Sequence, residues 1–307
     1  MTARTRWIFF AAAATFWLLL LLGAYPFFAI TAPVKAEVLV VEGWLKPYQL
    51  DSVRALVQRE HYRRVYTTGV VRPCSYHLKA GEAVEAVLRK PVSGSGRAEV
   101  AGLPGERLVI TLDRDTVLDA ELTGHLASHA FHVQGDASVV RISVGTDPGA
   151  GPMDVDRAFL GRLTFEQGEF HQLVRDLWTV KADGTAIRVG TTWAHTAALT
   201  LVQLGLPDSM VVPKPTYGDP ARYTRTTAKQ FVDFARNEGI TAFNVASLGV
   251  HARRTRGLYR RAAQGAIDIG VYSVYDTWCR RSDWFLHWYG WWKVVKEIVG
   301  AHQPYTL

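Results

Sequence analysis

The sequence predicts an α/β protein: a Rossmann-like open parallel sheet carrying an inserted all-β sandwich and led by an N-terminal transmembrane helix. Three observations in its 307 residues predict this class. Near both ends of the chain, apolar runs closed by glycine turns alternate with segments of helical period, as in strand–helix–strand units. Between them, about a hundred residues switch to period two. Ahead of everything lies a stretch, Trp7 to Val34, with no charged residue.

The leading stretch, roughly 28 residues long, exceeds the ~20 that a helix needs to cross a bilayer. Arg4 and Arg6 precede it, and Trp7, Trp17 and Tyr25 fall where interfacial aromatics belong. The positive-inside bias then keeps the first residues in the cytoplasm and the globular part outside it. A cleaved signal peptide is the rival, but its apolar region usually runs to only about 7–15 residues. The expectation is a single-pass membrane anchor over 1–34, ended or kinked by Pro26 and Pro33.

From Glu37 to Trp44 the chain reads as a buried parallel strand entering a glycine turn. Pro47 opens a helix with Leu50, Val53, Leu56 and Val57 at helical spacing. Arg64 to Gly69 is a second strand. Period two then takes over: Leu108, Ile110 and Leu112 alternate, as do Val140, Ile142 and Val144. This predicts a β-sandwich over 72–178, inserted into an α/β domain formed by 35–71 and 179–307. Rim loops accept such insertions because their ends stay at the surface.

The α/β pattern resumes near Gly190. Thr191 to Leu204 is helical and closed by Gly205; Ser209 to Pro213 is a strand, and Arg222 to Asn237 a helix ended by Gly239. Ala242 to Ala246 is a strand, Val250 to Ala262 a helix, and Ile267 to Ser273 a strand. The last helix runs over 283–299. In it Trp284, Trp288, Trp291 and Val295 form a stripe that fits a face packed on the sheet. A Trp-rich face at a membrane interface, beside Lys293 and Lys296, is the alternative.

Chemistry concentrates at Phe243 to Arg256. An apolar strand breaks at Ser247-Leu248-Gly249 and restarts as a helix whose first turn carries His251, Arg253 and Arg254. Unpaired N–H groups and the dipole make such a start a seat for an anion. His251 and Arg254 share a face, while Arg253 points elsewhere. Residues 221–261 hold nine Lys or Arg against two acids, within a chain of net charge +7. A solvated basic helix accounts for this as well. In a sheet of this kind ligands sit at the carboxyl ends of strands, so Glu42, Gly43, Thr68 and Gly69 line the same rim as Ser247, Gly249 and His251. Export disfavours nucleic acid, leaving lipid phosphates or charged glycans as partners. Cys74 and Cys279 form no metal-binding pattern and are expected as free thiols, with pairing the alternative.

Taken together, the α/β parts resemble the ElyC/SanA/YdcF family of envelope proteins. The likeness rests on Val41-Glu42-Gly43-Trp44, on Leu204-Gly205-Leu206-Pro207, and on Arg222-Tyr223-Thr224 with Ala228. It also rests on His251-Ala252-Arg253-Arg254 and on Glu297 in the last helix. Thr68-Gly69-Val70 stands where the family has Ser-Gly-Gly. The resemblance implies a role in cell-wall or polysaccharide assembly, with Arg222, Thr224 and Glu297 joining the site. The insert resembles calcium-dependent xylan-binding carbohydrate-binding modules through Thr146-Asp147, Asp156-Arg157 and the segment Arg162 to Gln167. Asp147, Asp154 and Asp156, around a Gly/Pro loop, would supply hard oxygen ligands to calcium; plain turn-forming aspartates are the alternative.

Two functions fit. The first is an enzyme acting on a lipid-linked phosphate or phosphosugar. In it Arg222 and Arg254 clamp phosphate oxygens, His251 is the general acid or base, and Glu42 or Glu297 orients it. The second is a non-catalytic scaffold holding a glycan or partner through the basic rim and the β insert. A third, a nucleotide-methyl-donor binder, lacks the glycine fingerprint beyond Gly43.

Overall fold

The computed structural model describes residues 5, 7, 8, 12, 15, 23–145, 155–217 and 223–302, with side chains through 299. The chain divides into two compact units, Met1–Val70 with Ala197–Leu307, and Val71–Thr196.

Among the described residues no helix is long and apolar enough to cross a membrane. This overturns the transmembrane helix of the predicted fold class; most of that stretch, through residue 22, lies outside the described residues. Its last part finds partners in the globule instead. Phe28 is buried with Val250, Cys279, Trp284 and Val294. Ala32 exchanges backbone hydrogen bonds with Val271 at 2.8 and 3.1 Å.

The first unit begins with β1 (Val38–Glu42), α1 (Pro47–Glu60) and β2 (Arg64–Gly69). Leu39 and Val41 enter one core while Val40 enters the other. That is why β1 reads as an unbroken apolar run. Pro47 starts α1, where Gln49 Oε1 accepts from the Lys46 amide at 2.8 Å.

The second unit is one antiparallel sheet of nine strands. They are β3 (Tyr76–Leu78), β4 (Ala83–Gly102), β5 (Arg107–Leu112), β6 (Asp115–Glu121), β7 (Ala127–Val144), β8 (Ala158–Phe165), β9 (Gly168–Glu169), β10 (Val174–Val180) and β11 (Ala186–Arg188); a single turn, α2 (Phe170–Leu173), precedes β10. It is not the expected two-sheet sandwich. β4 pairs with β7 along its length, but with β10 through its first part and with β8 through its second. Its register shifts between Val87 and Gly94, across Pro91, which has no amide to donate. The sheet therefore curls, and alternate residues of one face meet in one core containing Leu108, Ile110, Val140 and Ile142. Period two is identical in a curled sheet and a sandwich, so the sequence did not separate them. The unit runs on to Thr196, beyond residue 178, because the β10–β11 hairpin still belongs to this sheet. Inside it, Arg157 and Glu106 form a buried ion pair. Buried His171 lies with Nδ1 2.8 Å from the Arg72 carbonyl and Nε2 against the Tyr76 hydroxyl. Burial pushes its pKa down to about 4.

The first unit resumes at Ala197, within α3 (Trp193–Gln203), and continues with β12 (Val211–Pro215), α4 (Tyr223–Asn237), β13 (Ala242–Leu248), α5 (Ala252–Ala263), β14 (Asp268–Val274) and α6 (Trp288–His302). Its five strands are all parallel, in the order β12-β2-β1-β13-β14. α1 and α3 contribute to the core on one face, α4 and α5 to that on the other. The order reverses between β1 and β13, and their carboxyl ends flank the crevice where open α/β sheets take ligands.

The last helix departs from expectation. A 3-10 turn at Trp284–Leu286 ends at His287, whose backbone is extended, before α6 begins. That break splits the Trp stripe: Trp284 is fully buried, whereas Trp288 is 80 % exposed. The face α6 buries carries Val294 and Glu297 instead.

Candidate functional site

A cavity of about 440 Å³ opens at the switch point. β1 leads into it through Trp44 and Lys46, and β13 through Leu248. The turn Gly249–His251 and the start of α5 bring Val250, His251 and Arg254; α4 brings Tyr223 and Thr224. Asp276 and Trp278 follow β14, and α6 supplies Tyr289, Trp292, Lys293, Lys296 and Glu297. The tight turn after β13 needs glycine: Gly249 has φ +44°, and a Cβ there would stand 3.3 Å from Asp276 Cβ.

Buried His251 sits between two carboxylates. Its Nδ1 is 2.9 Å from Glu297 Oε1 and its Nε2 is 3.7 Å from Glu42 Oε1. Arg254 Nη2 also lies 2.9 Å from Nδ1, and 3.2 Å from Glu297 Oε1; its Nε is 2.8 Å from Oε2. One ring nitrogen cannot donate to Glu297 and accept from Arg254 together. A bond to the carboxylate is the stronger, so we assign the Nδ1 proton to it, leaving Nε2 as the atom that gains or loses a proton. The Trp44 ring packs edge-on against His251, centroids 5.7 Å apart.

Burial alone would raise the pKa of Glu297. The hydrogen bond from His251, and the charges of His251, Arg254 and Lys296, outweigh it and hold the carboxyl below its ordinary range. Glu42, 4 % exposed, accepts from Thr255 Oγ1 at 3.0 Å, and Ser247 Oγ lies 3.0 Å from the same hydroxyl. With the Thr255 proton given to Glu42, Ser247 donates to Thr255. Glu42 Oε2 has no hydrogen-bond partner among the described residues. Tyr259 lies fully buried nearby; burial, with the Glu42 charge adding to it, raises its phenol well above the usual value.

Four cationic and two anionic side chains line the cavity. Lys293 pairs with Asp276, and Arg254 with Glu297. Lys46 and Lys296 make no ion pair among the described residues, so the mouth keeps a positive excess. Exposed rings, including Tyr223, Trp278, Tyr289 and Trp292, surround it.

The structure thus brings His251, Glu42, Glu297, Arg254 and Ser247 into one connected cluster, with Thr224 on the wall. Gly43, Thr68 and Gly69 do not line this cavity. The Gly43 amide donates to the Thr68 carbonyl at 2.6 Å, Thr68 Oγ1 to the Val41 carbonyl at 3.3 Å, and the Gly69 carbonyl accepts from Thr216. Sheet continuity consumes those groups. Arg253 turns away: its guanidinium donates to the Phe27 carbonyl and stacks over the Phe27 ring at 4.0 Å. Arg222 lies outside the described residues. Thr255 was missed as a site residue although it shares the His251 face. So were Trp44, which the first-strand motif contains without its being read as a site residue, and Lys46 and Lys296.

Asp147 and Asp154 lie outside the described residues. Asp156 is exposed, its Oδ2 3.2 Å from His77 Nδ1. Among the described residues no three His, Cys, Asp or Glu gather as a metal site. Cys74 and Cys279 are free thiols, each pushed up to about 12, chiefly by burial. Compared with protein-family models and with curated proteins, the chain matches none.

Proposed function

We propose that the switch-point cavity binds a phosphorylated or otherwise anionic glycan or lipid-linked ligand and performs proton transfer on it, within cell-envelope or polysaccharide assembly. The observation that carries the reading is the buried His251, oriented through Nδ1 by Glu297 and opening on a cavity with excess positive charge. A ring nitrogen held by a carboxylate leaves the other free to act as general acid or base. Arg254, tethered by Glu297, presents its remaining N–H groups to phosphate oxygens. Lys46 and Lys296 attract the anion, and the rim aromatics offer flat faces to sugar rings. The resemblance of the quoted motifs to the ElyC/SanA/YdcF family supports the biological setting.

Titration calorimetry and phosphate release with a soluble glycosyl phosphate test this. Arg254→Ala is expected to weaken binding by about 10- to 100-fold, the worth of a charge-assisted hydrogen bond. His251→Gln is expected to keep binding within about threefold and lower turnover by roughly 10²–10⁴. Binding without turnover in the wild type would leave the scaffold reading, in which the aromatic rim holds the glycan. No binding of any sugar phosphate would remove both.

A further inference from the structure

We infer that the outward face of α6 is a docking surface for an anionic lipid bilayer. Trp288, Trp292, Val295 and Val299 stand at spacings of four, three and four, one stripe along the helix, and all four are exposed. The stripe lies opposite Val294 and Glu297, which α6 turns into the globule, so it takes no part in the core. An ordinary surface helix puts charge there; this one puts two indoles and two valines.

The charges around the stripe name its occupant. Across 275–299 the cations are Arg280, Arg281, Lys293 and Lys296. Of the three acids there, Asp276 and Glu297 are buried in ion pairs with Lys293 and Arg254. The third, half-buried Asp283, stands against Arg280, Arg281 and Lys296, so the exposed part of this segment is apolar with a positive excess. Indole rings flanked by lysine and arginine match the boundary of a bilayer, where the ring is half wet and the cation meets lipid phosphate. The described end of the uncharged run, Gly23 to Val34, lies beside the same helix, with Phe28 in one cluster with Val294 and Trp284. Tyr289, Trp292 and Lys296 belong to the cavity wall as well as to this side of α6, so the cavity mouth borders the lipid. The docking itself requires nothing of the cavity's chemistry.

The test uses the full chain with vesicles of phosphatidylglycerol and phosphatidylcholine that carry a diazirine-labelled phospholipid. Cross-links are located by mass spectrometry, which separates α6 from the leading segment. Cross-links are expected in α6, several-fold fewer on pure phosphatidylcholine. They should fall by about tenfold in the double variant Trp288→Ser/Val299→Ser, which removes most of the apolar area of the stripe. Neither residue lines the cavity, so calorimetric binding of glycosyl phosphate should stay unchanged. An α6 free of lipid cross-links, equal yields on neutral and anionic vesicles, or an undiminished double variant would each overturn the docking.

Discussion

Glu297→Gln isolates the electrostatic core of the site. The substitution keeps the side chain's shape and removes its charge, so His251 keeps an acceptor while Arg254 loses its counter-ion. Removing one member of a buried pair costs about 3–5 kcal/mol. Arg254 is partly wetted, with a quarter of its side chain exposed, which places the cost near the lower bound, about 3 kcal/mol. In a unit of this size that lowers Tm by roughly 6–12 °C. Seven of the nine described tryptophans belong to the parallel-sheet unit, so urea unfolding followed by Trp fluorescence reports mainly on it. The folded pKa of Glu297 lies below the ordinary 4.5. Its stabilisation is therefore complete above that value and is lost as pH falls through the lowered pKa. The gap between wild type and variant should be full at pH 7 and shrink in acid. Equal stabilities at pH 7, or a gap that persists after the carboxyl is protonated, would refute the reasoning.

Other perturbations reach other parts of the fold. Thr255→Val removes the hydroxyl between Ser247 and Glu42 and should cost about 1–3 kcal/mol in the same unfolding assay, because buried Glu42 loses its donor. Gly270→Ala places a Cβ 1.9 Å from Asn244 Oδ1 and 2.5 Å from the Val34 amide; the strain should cost about 1–3 kcal/mol, read as a lowered urea midpoint. In the β insert, Glu106→Ala removes the carboxylate of the buried pair with Arg157 and should cost about 3–5 kcal/mol, seen as faster amide exchange across β4 and β7. The insert should also weaken on acidification. His171 is held at about 4 against 6.5, so the unfolded chain binds the proton first and stability falls from pH 6.5 to 4, by about 3 kcal/mol in all. His171→Gln should flatten that slope in amide exchange measured across pH.

Much of the backbone was legible because each element carries its own local signal. A strand buried on both faces is an unbroken apolar run, as at 38–42, and the helix over 47–60 announces itself by Pro47 and its apolar spacing. Alternation marked the insert's strands. It did not mark their closure, because β4's change of partner across Pro91 depends on which strands lie beside it. The Trp stripe failed for a related reason: a break at His287 rotates everything after it, and helical spacing is blind to a single extended residue. The uncharged leading stretch read as a bilayer span because length and polarity were all the sequence offered. That Phe28 and Ala32 find partners in the globule is decided by Trp284, Val294 and Val271, more than 200 residues away.

The site divides along the same line. By itself the sequence determined the local part: His251 and Arg254 three residues apart at a helix start after a buried strand, and an acidic residue at the end of the first strand. Only the tertiary structure decided that β1 and β13 are neighbours at the reversal of strand order, which sets Glu42 beside His251. Only it decided that α6 packs Glu297 onto the other ring nitrogen and turns Trp288 and Trp292 outward while Trp291 packs on Trp284. Spacing along a chain fixes which side chains share a face. Distance between faces is fixed by how sheets and helices pack, and the chemistry proposed here depends on that distance.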